Sequence, residues 1–142
     1  MNQIVIDASV ALKWYLDEKN LGTKAINILT HYISNEIDLL APSLIEYEVM
    51  NGLKIAQKRG RIDKKSFQSG IEGFFNLEIT VFNASHFSAK ALDILSFFDI
   101  SSYDASYLAL AENEKSPFVT ADKVLYNKVQ KKLKYIKWLG EY

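Results

Sequence analysis

At 142 residues and 49% hydrophobic, the chain is long enough for one domain that buries most of the apolar surface its unfolded form would expose. Its 17 basic and 17 acidic residues cancel, so attraction by net charge is excluded as the basis of any nucleic-acid binding, and local charge must supply it. With no cysteine, disulfides, Cys-ligated zinc and thiol nucleophiles are excluded, and an oxidising compartment is not indicated. No stretch reaches the roughly 18 apolar residues of a membrane span, and the opening apolar run is too short for a secretory signal. A soluble, cytoplasmic protein of a single domain, 1–142, is the expectation.

Ile4, Val5 and Ile6 read as a buried strand that ends at Asp7. A short helix over 9–16 precedes a longer one over 21–34, where Ala25, Ile26, Ile28, Leu29, Tyr32 and Ile33 keep a helical period. A strand over 38–41 leads into Pro42 and Ser43. There Ser43 and Glu46 form an S-x-x-E capping box, opening a helix whose buried stripe is Ile45, Val49, Gly52 and Ala56 and which ends near Arg59 and Gly60. Asp63 caps the next helix, through Phe75, with Phe67, Ile71, Phe74 and Phe75 inward. A strand over 77–82, a helix over 85–98 and an Ala- and Leu-rich helix over 103–114 follow. Phe118, Val119 and Thr120 make another strand, and beyond Asp122 come a lysine-rich helix and a last strand over 135–139. Strands separated by helices predict right-handed crossovers and an α/β sandwich, its sheet mostly parallel with helices on both faces. Two of the helices between 43 and 98 are expected to form a hairpin projecting from that sheet.

Four acids stand out. Asp7 and Asp122 leave strands at their carboxyl ends, where open α/β sheets bind ligands. Glu48 borders the buried stripe of its helix, and Asp104 lies in a first helical turn. Taken singly, each has a plain explanation: Asp7 and Asp122 as helix caps, Asp104 as a partner of the helix dipole, Glu48 as an exposed flank acid. Glu46 is assigned to the capping box and lies about 200° around the helix from Glu48. Jointly, four carboxylates from separate elements suit a hard divalent cation, which prefers oxygen ligands.

The same residues carry a resemblance to the PIN-domain nucleases, and among them to the VapC-type toxins of prokaryotic toxin-antitoxin systems. V-I-D-A-S-V is similar to the family's first motif, with Asp7 as its acid. P-S-L-I-E-Y-E-V-M-N-G-L resembles the second, whose E-V-x-N-x-L core selects Glu48. Y-D-A-S-Y-L-A-L-A and V-T-A-D-K-V-L resemble the third and fourth, aligning Asp104 and Asp122, with Thr120 and Ser9 as accompanying hydroxyls. The resemblance spans nearly the whole chain. It implies a PIN-like three-layer sandwich and an acidic pocket holding one or two magnesium or manganese ions. It also implies cleavage of single-stranded RNA by metal-activated water. Asp7, Glu48, Asp104 and Asp122 would hold the metal directly or through water, with Ser9 and Thr120 orienting a carboxylate or water. An antitoxin protein and a homodimer are implied as partners.

Other chemistries find little support. His31 and His86 have no second histidine at ligand spacing, Ser9 lacks a G-x-S-x-G setting, and there is no Walker-type loop. Basic clusters at Lys54, Lys58, Arg59, Arg61, Lys64 and Lys65 and at Lys123, Lys128, Lys131, Lys132, Lys134 and Lys137 could track phosphates, although a solubilising face is the commoner explanation. Trp14, Phe74, Phe75, Phe97 and Phe98 read as core before base-stacking, or as a groove for an amphipathic partner helix. Two other functions compete: a catalytically silent PIN-fold module that binds RNA or protein, and phosphoryl transfer through Asp7, as in haloacid-dehalogenase-like phosphatases. The second would want an acid where Ser9 stands.

Overall fold

The computed structural model of the protein describes residues 2–16 and 20–142. Among these, five strands form a sheet: β1 (Asn2–Ile6), β2 (Ile37–Pro42), β3 (Thr80–Phe82), β4 (Phe118–Thr120) and β5 (Ile136–Trp138). Their order is β3-β2-β1-β4-β5, and every neighbouring pair is parallel. The apolar run of β1 is the reason it lies at the centre, with Val5 opposite Leu40 on one side and Phe118 on the other. The helices are α1 (Ala8–Ala11), α2 (Gly22–Ile33), α3 (Leu44–Lys58), α4 (Lys64–Asn76), α5 (Ser88–Phe97), α6 (Ser102–Glu114) and α7 (Lys123–Val129). The chain runs outward from β1 through β2 to β3, then returns to β4 and β5. Right-handed crossovers therefore put the helices before β3 on one face and those after it on the other, giving the three-layer α/β sandwich.

This topology matters for function because the strand order reverses between β1 and β4. In such sheets the loops leaving the two strands diverge to opposite faces and open a crevice at their carboxyl ends. Asp7 follows β1, and Asp122 lies just beyond β4.

The structure departs from the predicted elements in several places. The first helix is a single turn, α1, continued by a 3₁₀ turn over Leu12–Trp14, and the 85–98 helix likewise begins with a 3₁₀ turn at Ala84–His86 before α5. Gly52 is not in the buried stripe of α3; Leu53 takes that place. A Cβ at Gly52 would come within 2.5 Å of the Leu12 side chain, so glycine is what lets α3 approach the turn after α1. Phe75 is 39% exposed, while its neighbour Phe74 is buried. The capping box is absent: Ser43 is already helical and its side chain caps nothing. Its amide instead donates to the Phe82 carbonyl, tying the start of α3 to β3 at 2.9 Å. Asp63 does cap α4, accepting from the Ser66 amide at 2.7 Å. Helices α3 and α4 lie against each other as a hairpin, with Gly70 of α4 over Leu53.

Both histidines are accounted for by acid partners, His31 with Glu36 at 2.6 Å and His86 with Glu114 at 3.0 Å. No described helix is long and apolar enough to cross a membrane.

Candidate active site

Asp7 is one of few buried polar residues, 7% exposed at the carboxyl end of β1. Its carboxylate caps α1 by accepting from the Val10 amide at 3.3 Å. The same Oδ1 accepts from the Ser9 hydroxyl at 2.5 Å, and Oδ2 accepts from the Thr120 hydroxyl at 2.5 Å. Each hydroxyl has one proton. With both directed at Asp7, the Ser9 and Thr120 oxygens act as acceptors for the backbone, taking the Ala121 amide at 2.9 Å and the Asp122 amide at 3.0 Å. The 3.4 Å contact between the two hydroxyls is then proximity, not a bond that orients either. The turn after β4 is thus fastened to the turn after β1 through two side chains, and Asp7 is fixed at both oxygens. The cap and the candidate metal ligand are one residue.

Asp122 caps α7, accepting from the Leu125 amide at 3.1 Å. Asp104 lies in the first turn of α6, where the Ser101 hydroxyl caps the helix by accepting the Asp104 amide at 3.1 Å, so the Asp104 carboxylate is not needed for capping. Glu48 lies on α3 and is half-buried. Burial is the main cause that pushes the Asp7 carboxyl up, to about 6 from an ordinary 3.8; its hydrogen bonds oppose this and the charge of Asp122 adds to it. Glu48 is raised by burial and by Asp104, against the pull of a hydrogen bond from Tyr107. Asp104 is raised by burial and by Asp122, with Lys128 opposing. The repulsions run Asp7 to Asp122 to Asp104 to Glu48. The four acids therefore share one electrostatic neighbourhood.

Tyr107 is the residue that sequence reasoning missed. It is buried on α6, stacks on Phe118 of β4 and donates its hydroxyl to Glu48 Oε1. Burial, the negative charge of Glu48 and the bond to it all push the phenol up. A signal was present in the sequence: Tyr107 follows Asp104 by three residues, which places both on one side of α6. The structure also supplies a reason to prefer Glu48 to Glu46, replacing the capping box that does not form.

The donor set suits a hard divalent ion. All four acids offer oxygen, among the described residues none of them forms an ion pair, and their mutual repulsion would be relieved by a cation. As the side chains stand, no three Asp, Glu or His groups among the described residues converge tightly enough to enclose an ion by themselves. Asp7 is fixed, whereas Glu48 and Asp104 stand partly in solvent on helices. Contact through water from some of the four is consistent with that spacing.

A family model described as the PIN domain matches residues 4–131. Among curated proteins, Ribonuclease VapC9 from Mycobacterium tuberculosis and a VapC ribonuclease from Mycobacterium bovis are each 29% identical to this chain over 119 residues, 84% of it and 85% of the relative. Among solved structures, PAE2754 from Pyrobaculum aerophilum superposes with a TM-score of 0.70 at 19% identity, covering 98% of this chain and 92% of that one. VapBC2 from Rickettsia felis, bound to a DNA fragment from its promoter, gives 0.62 at 11% identity over 96% of each chain. VapC20 from Mycobacterium tuberculosis, described as a Sarcin-Ricin loop cleaving toxin, gives 0.60 at 12% identity over 87% of this chain and 93% of that one. At such identities the structural likeness concerns the fold.

Proposed function

Because the chain belongs to the PIN domain family, we propose that it is a divalent-metal-dependent endoribonuclease that hydrolyses single-stranded RNA, and that it serves as the toxin of a toxin-antitoxin pair. The observation that carries the reading is Asp7: a buried carboxylate, fixed at both oxygens and coupled through Asp122 to the other two acids, at the switch point of the sheet. Burying an ionised group without a cation is costly, and a fold retains such a group most readily where a bound ion offsets the cost. The names of the curated relatives, both VapC ribonucleases, support the substrate class.

In this reading residues 1–142 act as one domain in the cytoplasm, and Asp7, Glu48, Asp104 and Asp122 hold magnesium or manganese. A bound ion would supply the positive charge that offsets the phosphodiester and acidifies a water nucleophile. Ser9 and Thr120 keep Asp7 in one rotamer and direct its remaining lone pairs outward. Lys128, whose charge reaches Asp104, stands on the flank of the site where a phosphate backbone would pass.

Two apolar faces suit the partners. The hollow of about 740 Å³ between α3 and α4, lined by Tyr47, Met50, Phe67 and Ile71 with Lys54 and Glu72, would take an apolar segment of the antitoxin. The exposed Leu92 and Phe97 of α5, each 67% exposed, would meet a second copy.

The test is cleavage of a labelled single-stranded RNA by purified protein with manganese, with EDTA, and with Asp7→Asn. We expect cleavage only in the first. A parent protein that binds RNA but leaves it intact under all three conditions would favour the silent module. Native mass measurements at micromolar concentration check the dimer.

A further inference from the structure

We propose that Tyr107 is a positioning residue: its hydroxyl fixes the Glu48 carboxylate in the orientation that serves the acidic quartet. This rests on reading the quartet as a metal site. One buried side chain, 2% exposed, links the two helices that carry Asp104 and Glu48 and lies against the strand that leads to Asp122. It stands on α6, three residues after Asp104. Its ring lies parallel to that of Phe118 on β4, the strand that leads to Asp122, with centroids 5.7 Å apart and planes inclined by 10°. Its hydroxyl donates to Glu48 Oε1 on α3, and the Ala8 backbone beside Asp7 approaches the same hydroxyl.

The direction of the Glu48 bond follows from chemistry. An ionised carboxylate only accepts, so the phenol must donate its single proton there. A glutamate on an open helix face has several rotatable bonds and samples many rotamers. Here Oε1 is held by a rigid donor, and Oε2 is left for another partner. Core filling alone does not explain tyrosine at this place. Phenylalanine would stack on Phe118 equally well and would not bury a hydroxyl, which is unfavourable unless it is bonded. The hydroxyl is the one group tyrosine adds, and its partner is an acid of the quartet.

Partners of this kind, one step removed from the ion, typically change metal affinity by about 10–100-fold when removed. For Tyr107→Phe we therefore expect calorimetric Mn²⁺ affinity to fall about tenfold. The Mn²⁺ concentration for half-maximal RNA cleavage should rise by a similar factor, with most of the rate recovered at saturating Mn²⁺. Thermal unfolding without metal is measured alongside. A purely structural role would lower that midpoint and leave Mn²⁺ affinity unchanged, and this result would overturn the proposal. Glu48→Gln separates the two levels of inference. If Glu48→Gln loses Mn²⁺ affinity while Tyr107→Phe does not, the proposal falls and the site stands; if Glu48→Gln binds Mn²⁺ like the parent, the reading of the site falls and takes the proposal with it. In the Glu48→Gln background the tyrosine substitution should add little, because the two act through one contact. Should Tyr107→Phe not fold, the parent chain with Tyr107 replaced by 3-fluorotyrosine gives the answer. Its fluorine resonance should shift on Mg²⁺ titration and stay fixed in Glu48→Gln, and a resonance unmoved in the parent would overturn the proposal.

Discussion

Asp7 follows the buried end of β1, Ile4 to Ile6, accepts three hydrogen bonds and is 7% exposed. Asp104 and Glu48 stand half-buried on α6 and α3, and among the described residues their carboxylates together accept one side-chain hydrogen bond, from Tyr107. The strand-end half of the quartet is therefore part of what holds the turns after β1 and β4 together. In the helical half, α6 is capped by Ser101 and α3 has no side-chain cap, so neither helix start depends on these acids. In the proposed metal site, binding and stability would be properties of the same atoms in the first half and would separate in the second. Substitutions should expose that difference.

Asp104→Asn gives the largest expected loss of function with the least harm to the fold. Ser101 caps α6 through the Asp104 backbone, so the cap survives, while a site carboxylate is lost and its repulsion with Asp122 and Glu48 disappears. RNA cleavage should fall by about 100-fold or more with the unfolding midpoint unchanged or raised. An unfolded variant would show that the helical half is structural too, and the contrast would be lost.

The strand-end half makes a prediction about pH. Asp7 has a folded value of about 6 against an ordinary 3.8, so the folded chain holds this proton more tightly than the unfolded one. The associated stability is complete below about 3.8 and is lost as pH rises through about 6. Without metal, the stability of the parent relative to Asp7→Asn should fall by on the order of 2 kcal/mol between these limits. Manganese should flatten the dependence by favouring the ionised form. Urea unfolding at a series of pH values, with EDTA and with manganese, measures both; a difference that rises with pH would reverse the sign and refute the account of Asp7.

The places of Asp7 and Asp122 beyond strand ends were legible because short apolar runs read as buried strands in an α/β chain, and the cap that was the plain explanation of each acid is also present. The sheet was legible for the same reason, since runs such as Ile4 to Ile6 and Phe118 to Thr120 suit strands buried on both faces. The capping box was misread because S-x-x-E is a local pattern, while the Ser43 amide is taken by Phe82, some 40 residues on. Tyr107 was missed because an aromatic in the Ala- and Leu-rich α6 looks like core. It is core, and only the approach of α3, a tertiary event, gives its hydroxyl a partner. The inward stripe on α4 erred at Phe75 because that helix packs on α3 through a narrow face around Gly70 and Phe74.

Thr120→Val keeps the volume of a fully buried side chain but removes the donor to Asp7 Oδ2 and the acceptor of the Asp122 amide. Both strand-end acids lose a restraint. The expected result is about a tenfold loss of cleavage together with roughly 1–2 kcal/mol of stability. The joint change is the signature of the strand-end half, and a variant that lost activity at full stability would place Thr120 with the helical acids instead.

The smallest effect sharpens the comparison most. Glu46 stands two residues from Glu48, but it does not complete a capping box, since the Ser43 side chain bonds nothing there. Each helical residue advances about 100°, so Glu46 points some 200° away from the face that meets Tyr107. Glu46→Gln should leave both cleavage and unfolding free energy within about twofold and 0.5 kcal/mol of the parent, whereas Glu48→Gln removes a carboxylate of the quartet. Paired rate and urea-unfolding measurements on the two variants decide the matter. If both lost activity equally at unchanged stability, position on the helix would not distinguish them, and the Tyr107 contact could no longer be what selects Glu48.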